Sequence, residues 1–231
     1  MSKVVWLDES GWRSRPQPGG EPLLRILVDE EDLRTHPDGA APLAYLERAL
    51  PPGGVAAYKQ ARKQGVRTFA LWFDAHRGQP FAYVTTKSAA KGASATYEVL
   101  GASGEPVALI GREPALRGAV RTRWTVQQAG QAPFAGRKGN PFWWCVWWLI
   151  SPVQLAIGVA AMIGGDGDVA RMPRRTKWRR NGRVALDWQS GGSGFRLHVH
   201  DEQLDPRAIA ALVALVRSHD GALGHAWDKL P

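Results

Sequence analysis

FRLHVHDEQLDPRAIAALVALV, from Phe195 to Val216, sets a short alternating strand directly before a helix that is apolar on every face. Asp205 suits the N-cap and Pro206 the first helical position, where a missing N–H costs nothing. Ala208 to Val216 then offers no polar stripe, and a helix apolar all round must be buried all round. At about 11 residues it is too short to cross a bilayer, so its place is inside the surrounding structure. Arg217 and His219 suit the negative end of the helix dipole, and Gly221 can end the helix.

Working back from that helix, the chain is a series of short apolar runs between turn residues. RVALDWQ (Arg183 to Gln189), the turn SGGSG and FRLHVH (Phe195 to His200) read as a hairpin. VRTFALWF (Val66 to Phe73) with FAYVTT (Phe81 to Thr86) reads as another. YEVLGASGEPVALIGRE (Tyr97 to Glu113) and RTRWTVQQAGQAPFAGRKG (Arg121 to Gly139) each read as strand, turn, strand. Strands of this length and spacing argue for an antiparallel barrel or sandwich. Further back, Val4 to Leu7 is a short apolar piece, GWRSRPQPGGEP is a flexible linker, and PLLRILVD (Pro22 to Asp29) is a strand. PLAYLERAL (Pro42 to Leu50) and VAAYKQARKQ (Val55 to Gln64) read as two short helices parted by PPGG. The expected organisation is an N-terminal extension over 1–65 and a mainly β domain over 66–231, interrupted at 140–182.

That interruption opens with NPFWWCVWWLISPVQLAIGVAAMIGG (Asn140 to Gly165), in which Pro141 to Ile163 carries no ionisable side chain but Cys145. As one helix, Pro141 to Ile163 would rise about 34 Å, against a hydrocarbon core of roughly 30 Å. Ser151-Pro152 falls midway, and proline both removes a donor and disfavours helix at the residue before it. Each half is then about 16 Å long, too short to cross. Basic residues flank both sides, in GRK (Gly136 to Lys138) and RMPRRTKWRR (Arg171 to Arg180), and Lys and Arg bias a flank to the cytoplasmic side. The first reading is an apolar helical hairpin, interfacial or re-entrant; a single span and an element buried in a soluble core are the alternatives. Candidate membrane contacts are Trp143, Trp144, Trp147, Trp148, Leu149 and Ile150. Candidate headgroup-binding residues are Arg171, Arg174, Arg175, Lys177, Arg179 and Arg180.

Charge supports this. Of a net +9, the stretch from Pro106 to Arg183 holds thirteen Lys and Arg against three acids. Each cation near an anionic surface contributes about 1 kcal/mol, although a basic block also suits nucleic acid. The single cysteine excludes an internal disulfide, and MSKVVWLDESGW lacks the h-region of a signal peptide. The expected location is the cytoplasmic face of a membrane. No G-x-S-x-G, P-loop or dinucleotide fingerprint occurs, and Cys145 has apolar surroundings that disfavour a thiolate. No catalytic residue or cofactor is assigned. His198 and His200 share a strand face, and GGDGD (Gly164 to Asp168) gathers two carboxylates. Neither has a metal-site pattern around it, and no metal is assigned.

The repeated strand–turn–strand units with a following basic residue and Trp, in Tyr97 to Glu113 and Arg121 to Gly139, resemble the tubby C-terminal-like superfamily, which includes LURP-one-related proteins and phospholipid scramblases. Phe195 to Val216 resembles its closing strand and hydrophobic C-terminal helix. The resemblance covers roughly residues 66–220, apart from the apolar insertion, and carries no ligand-contacting residue over. It implies a closed antiparallel β-barrel threaded by that helix. The functional expectation is a membrane-associated, non-enzymatic module that binds anionic headgroups or a membrane partner. A lipid-translocating protein, a nucleic-acid binder and a small enzyme are the alternatives.

Overall fold

A computed structural model of the chain describes residues 3–9, 23–30, 40–114, 121–139, 175–191, 194–219 and 226–229. Its strands are β1 (Lys3–Asp8), β2 (Leu24–Glu30), β3 (Ala41–Arg48), β4 (Phe69–Trp72), β5 (Pro80–Ser88) and β6 (Ala95–Leu100). They continue as β7 (Pro106–Glu113), β8 (Arg123–Gln128), β9 (Phe134–Lys138), β10 (Arg175–Arg180), β11 (Arg183–Gly191) and β12 (Gly194–Val199). Each pairs antiparallel with its sequence neighbours, and β12 pairs back onto β1 through Val4↔His198 and Val5↔Leu197. The result is a closed up-and-down barrel, mainly β, with no free sheet edge.

Side-chain alternation explains the strands. Leu24 and Ile26, Tyr97 and Val99, and Leu186 and Trp188 all face one continuous core, with more polar positions between them. Two elements depart from the sequence expectation. Pro42 to Leu50 is not a helix: its apolar residues have helical spacing, but the chain forms β3, hydrogen-bonded on both sides through Ile26↔Ala44 and Leu46↔Leu71. Pairing on both sides overrides local propensity. Pro42 is tolerated because it lies beside a shift of register against β2. With β1, β2 and β3 all in the barrel, residues 1–65 are not an extension, and a boundary at residue 66 would cut through the sheet.

The second departure is the basic run. Arg175–Arg180 is β10, in which Thr176 and Trp178 are buried while Arg175, Lys177 and Arg179 face outward. Gly136 lies opposite Trp178, and a Cβ at Gly136 would come within 2.7 Å of the indole. Only glycine leaves room for the ring.

Two helices complete the described structure, α1 (Gly54–Lys63) and α2 (Pro206–Ser218). The Asp205 side chain caps α2 by accepting from the Arg207 amide at 2.8 Å. Arg207 Nη1 in turn reaches Glu105 at 2.6 Å, tying the helix start to the β6–β7 turn. Ala208 to Val216 are all buried, and α2 packs against β1, β3, β5, β6 and β7. No helix among the described residues is long and apolar enough to cross a membrane. Pro141 to Ile163 lie outside the described residues.

Leu212, fully buried in α2, gives a direct check. Leu212→Ala is expected to cost about 2–5 kcal/mol, and Leu212→Asp to abolish folding, because an unpaired carboxylate would be driven into apolar surroundings. Urea unfolding followed by circular dichroism measures both. A Leu212→Asp protein of unaltered stability would mean that this helix face is exposed.

Candidate functional site

In an up-and-down barrel every odd strand ends, and every even strand begins, at one end. The registers Arg48↔Phe69, Ala95↔Arg112 and Lys138↔Thr176 place Arg48, Arg112 and Lys138 together at that end, here called the mouth. The inward alternation changes character there. On β3 it runs Ala44, Leu46, Arg48; on β7 it runs Ala108, Ile110, Arg112; on β9 it runs Phe134, Gly136, Lys138. Arg67, two residues before Phe69, continues the same pattern on the approach to β4 and is buried, as is Arg48. A wall apolar along its length thus finishes in a cationic rim.

One carboxylate answers this rim directly. Asp228, in the short 3₁₀ turn Trp227–Lys229, is fully buried. It takes Nε of Arg62 at 2.8 Å, the second guanidinium nitrogen of Arg62 at 3.0 Å, Nε of Arg67 at 3.0 Å and the Tyr58 hydroxyl at 3.2 Å. Arg62 also donates to the Ser218 carbonyl at 2.9 Å, which satisfies the end of α2. Trp227 anchors the turn, its indole N–H donating to the Ala214 carbonyl at 2.9 Å and its ring 4.7 Å from Phe69. Burial pushes the Arg67 pKa down against the pull of Asp228, and burial with Asp228 pushes Tyr58 up. Arg62, on α1, is therefore tied into the fold by these bonds.

His219 follows α2 into the same mouth. Tyr97 donates to the Gly65 carbonyl at 2.9 Å, and its oxygen is 2.8 Å from His219 Nε2. A hydroxyl has one proton to give, so Nε2 is the donor to Tyr97 and the imidazole is the Nε2–H form. Burial, followed by the fields of Arg67, Arg112, Arg62 and Lys138, lowers the His219 pKa well below 6.5. The sequence expectation of a dipole-stabilised imidazolium is thereby corrected: His219 is neutral. Burial also lifts Tyr97 to about 12.

The outer wall carries a second cationic feature. Arg123↔Arg137 and Arg137↔Lys177 are directly opposite across adjacent strands, an arrangement that is destabilising for like charges without a counterion. Among the described residues no carboxylate pairs with Arg137, at the centre of the row, while its two ends each meet one: Arg123 lies opposite Glu113 and Lys177 opposite Asp187. The headgroup candidates therefore separate. Lys177 and Arg179 are outward and exposed. Arg175 is committed to Asp187, with Nε at 2.8 Å from Oδ1. Burial opposes ionisation of Asp187, but Arg175 and Gln189 outweigh it and hold that carboxyl below its ordinary value. Arg180 turns toward the other barrel end, 2.9 Å from Asp201 and stacked 4.8 Å over Phe134. Burial and pairing remove it from a headgroup-facing surface. Arg171 and Arg174, and all of Trp143, Trp144, Trp147, Trp148, Leu149 and Ile150, lie outside the described residues.

His198 and His200 stack with ring centroids 6.4 Å apart. No group of three metal-ligating side chains occurs among the described residues. No protein-family model, curated protein or solved structure matches this chain.

Two outcomes are expected at the mouth. Asp228→Asn leaves Arg67 buried without its counter-charge and should destabilise the fold by about 3–5 kcal/mol, measurable by denaturant unfolding. His219 binds fewer protons folded than unfolded below about pH 6.5, so its contribution is fully present above that value and lost as pH falls beneath it. Between about pH 7.5 and about pH 5.5 the unaltered protein should therefore lose more stability than His219→Phe does. Parallel losses in the two proteins would mean that His219 is accessible to protons in the fold.

Proposed function

We propose that this chain is a membrane-peripheral module whose cationic mouth faces an anionic bilayer, with the apolar segment entering and leaving from that same side. One observation carries the reading. Gly139 donates its amide to the Arg175 carbonyl at 2.8 Å, so the residues bounding 140–174 are hydrogen-bonded neighbours at the mouth. A path into lipid that begins and ends at one point must return to the side it left. This supports the interfacial or re-entrant hairpin over the single span. The basic rim at the same barrel end supports an anionic surface as the partner.

The architectural half of the proposal is that α2 threads the barrel, as the tubby-like resemblance implies. Burial of Ala208 to Val216 on every face and packing against five strands support it. The site has no catalytic constellation assigned to it, and the module acts by binding, on the cytoplasmic face of its membrane.

Vesicle sedimentation across a salt series tests the reading. Changing Trp143, Trp144, Trp147 and Trp148 together to serine should abolish a salt-insensitive component. Changing Arg137 and Lys177 to glutamine should abolish only a preference for anionic lipid that fades as the Debye length shrinks below about 8 Å, whereas Arg179, which donates to the Gly182 carbonyl at the far end of β10, should not contribute. Retention of full vesicle binding by the folded tryptophan variant would dismiss the apolar segment as the anchor. Binding of duplex DNA in place of vesicles would assign the outer cationic row to nucleic acid.

A further inference from the structure

At the mouth, Arg112 differs from its neighbours. Arg62 and Arg67 share Asp228, whereas no carboxylate among the described residues pairs with Arg112. Its Nε is buried and has no hydrogen-bond partner among them. Arg112 lies inward in one cross-strand row with Ala95 and Trp124, both buried. The His219 ring is 5.7 Å from that of Trp124. The field of Arg67 adds to the burial that pulls the Arg112 pKa down. A half-buried guanidinium whose Nε is buried without a partner, held in the field of a second one, is costly unless an anion joins them.

The charge balance indicates which anion. With Arg48 and Lys138 of the same rim set aside, Arg62, Arg67 and Arg112 bring three positive charges to the mouth, and Asp228 takes the first two of those guanidiniums. The excess is at least two, enough to meet the charge of about −1.5 to −2 on a phosphate monoester near pH 7. The planar fork of an arginine also meets a phosphate through two parallel hydrogen bonds. We propose that the mouth holds a phosphate-binding site centred on Arg112, with Arg67 supplying the adjoining positive field. This site stands on Arg112 and on the interior of the barrel, independently of the apolar segment and the outer cationic row. A phosphorylated lipid headgroup and a free phosphorylated compound share this chemistry.

The test titrates inorganic phosphate into the full chain by calorimetry and thermal unfolding, against chloride at matched ionic strength. Phosphate should raise the melting temperature beyond chloride. Arg112→Gln should weaken phosphate binding at least about tenfold, equivalent to about 1.4 kcal/mol, and Arg137→Gln on the outer wall should leave it unchanged. If Arg112→Gln does not fold, Arg112→Lys decides, because it keeps the charge and loses the fork. Its affinity should also fall, and an unaltered affinity overturns the proposal. Absence of a phosphate-specific effect in the unaltered protein overturns it too, as does equal loss in Arg137→Gln. Vesicles of phosphatidylcholine with and without phosphatidate separate the two sources. Displacement from phosphatidate by free phosphate, dependent on Arg112, identifies a headgroup. Phosphate binding with vesicle binding indifferent to Arg112 identifies a soluble ligand. Loss of vesicle binding in the tryptophan variant with phosphate binding intact bears only on the membrane reading.

Discussion

Pairing of the first strand with the last is the constraint on which the rest of this structure depends. Val4↔His198 and Val5↔Leu197 turn a twelve-strand meander into a cylinder, and a cylinder has an inside. An apolar face on one strand then meets apolar faces from every other direction, and Leu212 and its neighbours on α2 find partners all round. Closure also removes the edges through which such a sheet would otherwise recruit other chains. Residues far apart in sequence are brought to one rim: Asp228 meets an arginine 166 positions earlier.

The two barrel ends are chemically unlike. Where α2 begins, Arg207 is held between Asp205 and Glu105, and Arg180 faces Asp201. Cations and carboxylates there are matched nearly one to one. Where α2 ends, Arg62 and Arg67 converge on Asp228 while Arg112 stands at the same rim without a carboxylate among the described residues, and the neighbouring imidazole stays neutral through its burial first and the fields of these cations second. The negative end of the helix dipole offsets only part of this surplus. The molecule is thus electrostatically polar along its axis, and an anion approaching it is oriented before it makes contact.

Much of this architecture was legible from local pattern. The β4–β5, β6–β7, β8–β9 and β11–β12 hairpins follow from apolar runs broken by glycine-rich turns, and α2 follows from Asp205, Pro206 and the unbroken apolar run after them. β3 was not, because Leu43, Leu46 and Leu50 fit a helical spacing and only the flanking strands decide against it. β10 was hidden by its charges: Arg175, Lys177 and Arg179 dominate the eye, while Thr176 and Trp178 between them carry the strand period. The mouth left a fainter signal. Arg48, Arg67 and Arg112 are single arginines at strand ends, where a snorkelling side chain is ordinary. Arg48 and Arg112 do occupy the inward register of β3 and β7, and Arg67 continues that of β4 before its first residue, so tracking that parity through the strand ends would have shown three cations on one face. Asp228 carried no signal at all, since its role depends wholly on contacts remote in sequence.

The hydrogen bond between Gly139 and Arg175 also has a meaning for how the chain folds. Most neighbouring strands are joined by short turns, so their pairings nucleate locally and quickly. The β9–β10 pair must instead close a loop spanning residues 140–174, and β1–β12 must close nearly the whole chain. Loop-closure entropy grows only logarithmically, about 0.6 kcal/mol per doubling of length, so the long connection weakens the finished barrel little. Its effect is on order. Two sheets, β1 to β9 and β10 to β12, can form ahead of the seams β9–β10 and β1–β12 that join them, and those seams close late because their loops are the longest. Until then the tryptophan-rich segment joins two incomplete sheets whose apolar faces are still open, so the interval before closure is when this chain is most exposed to aggregation.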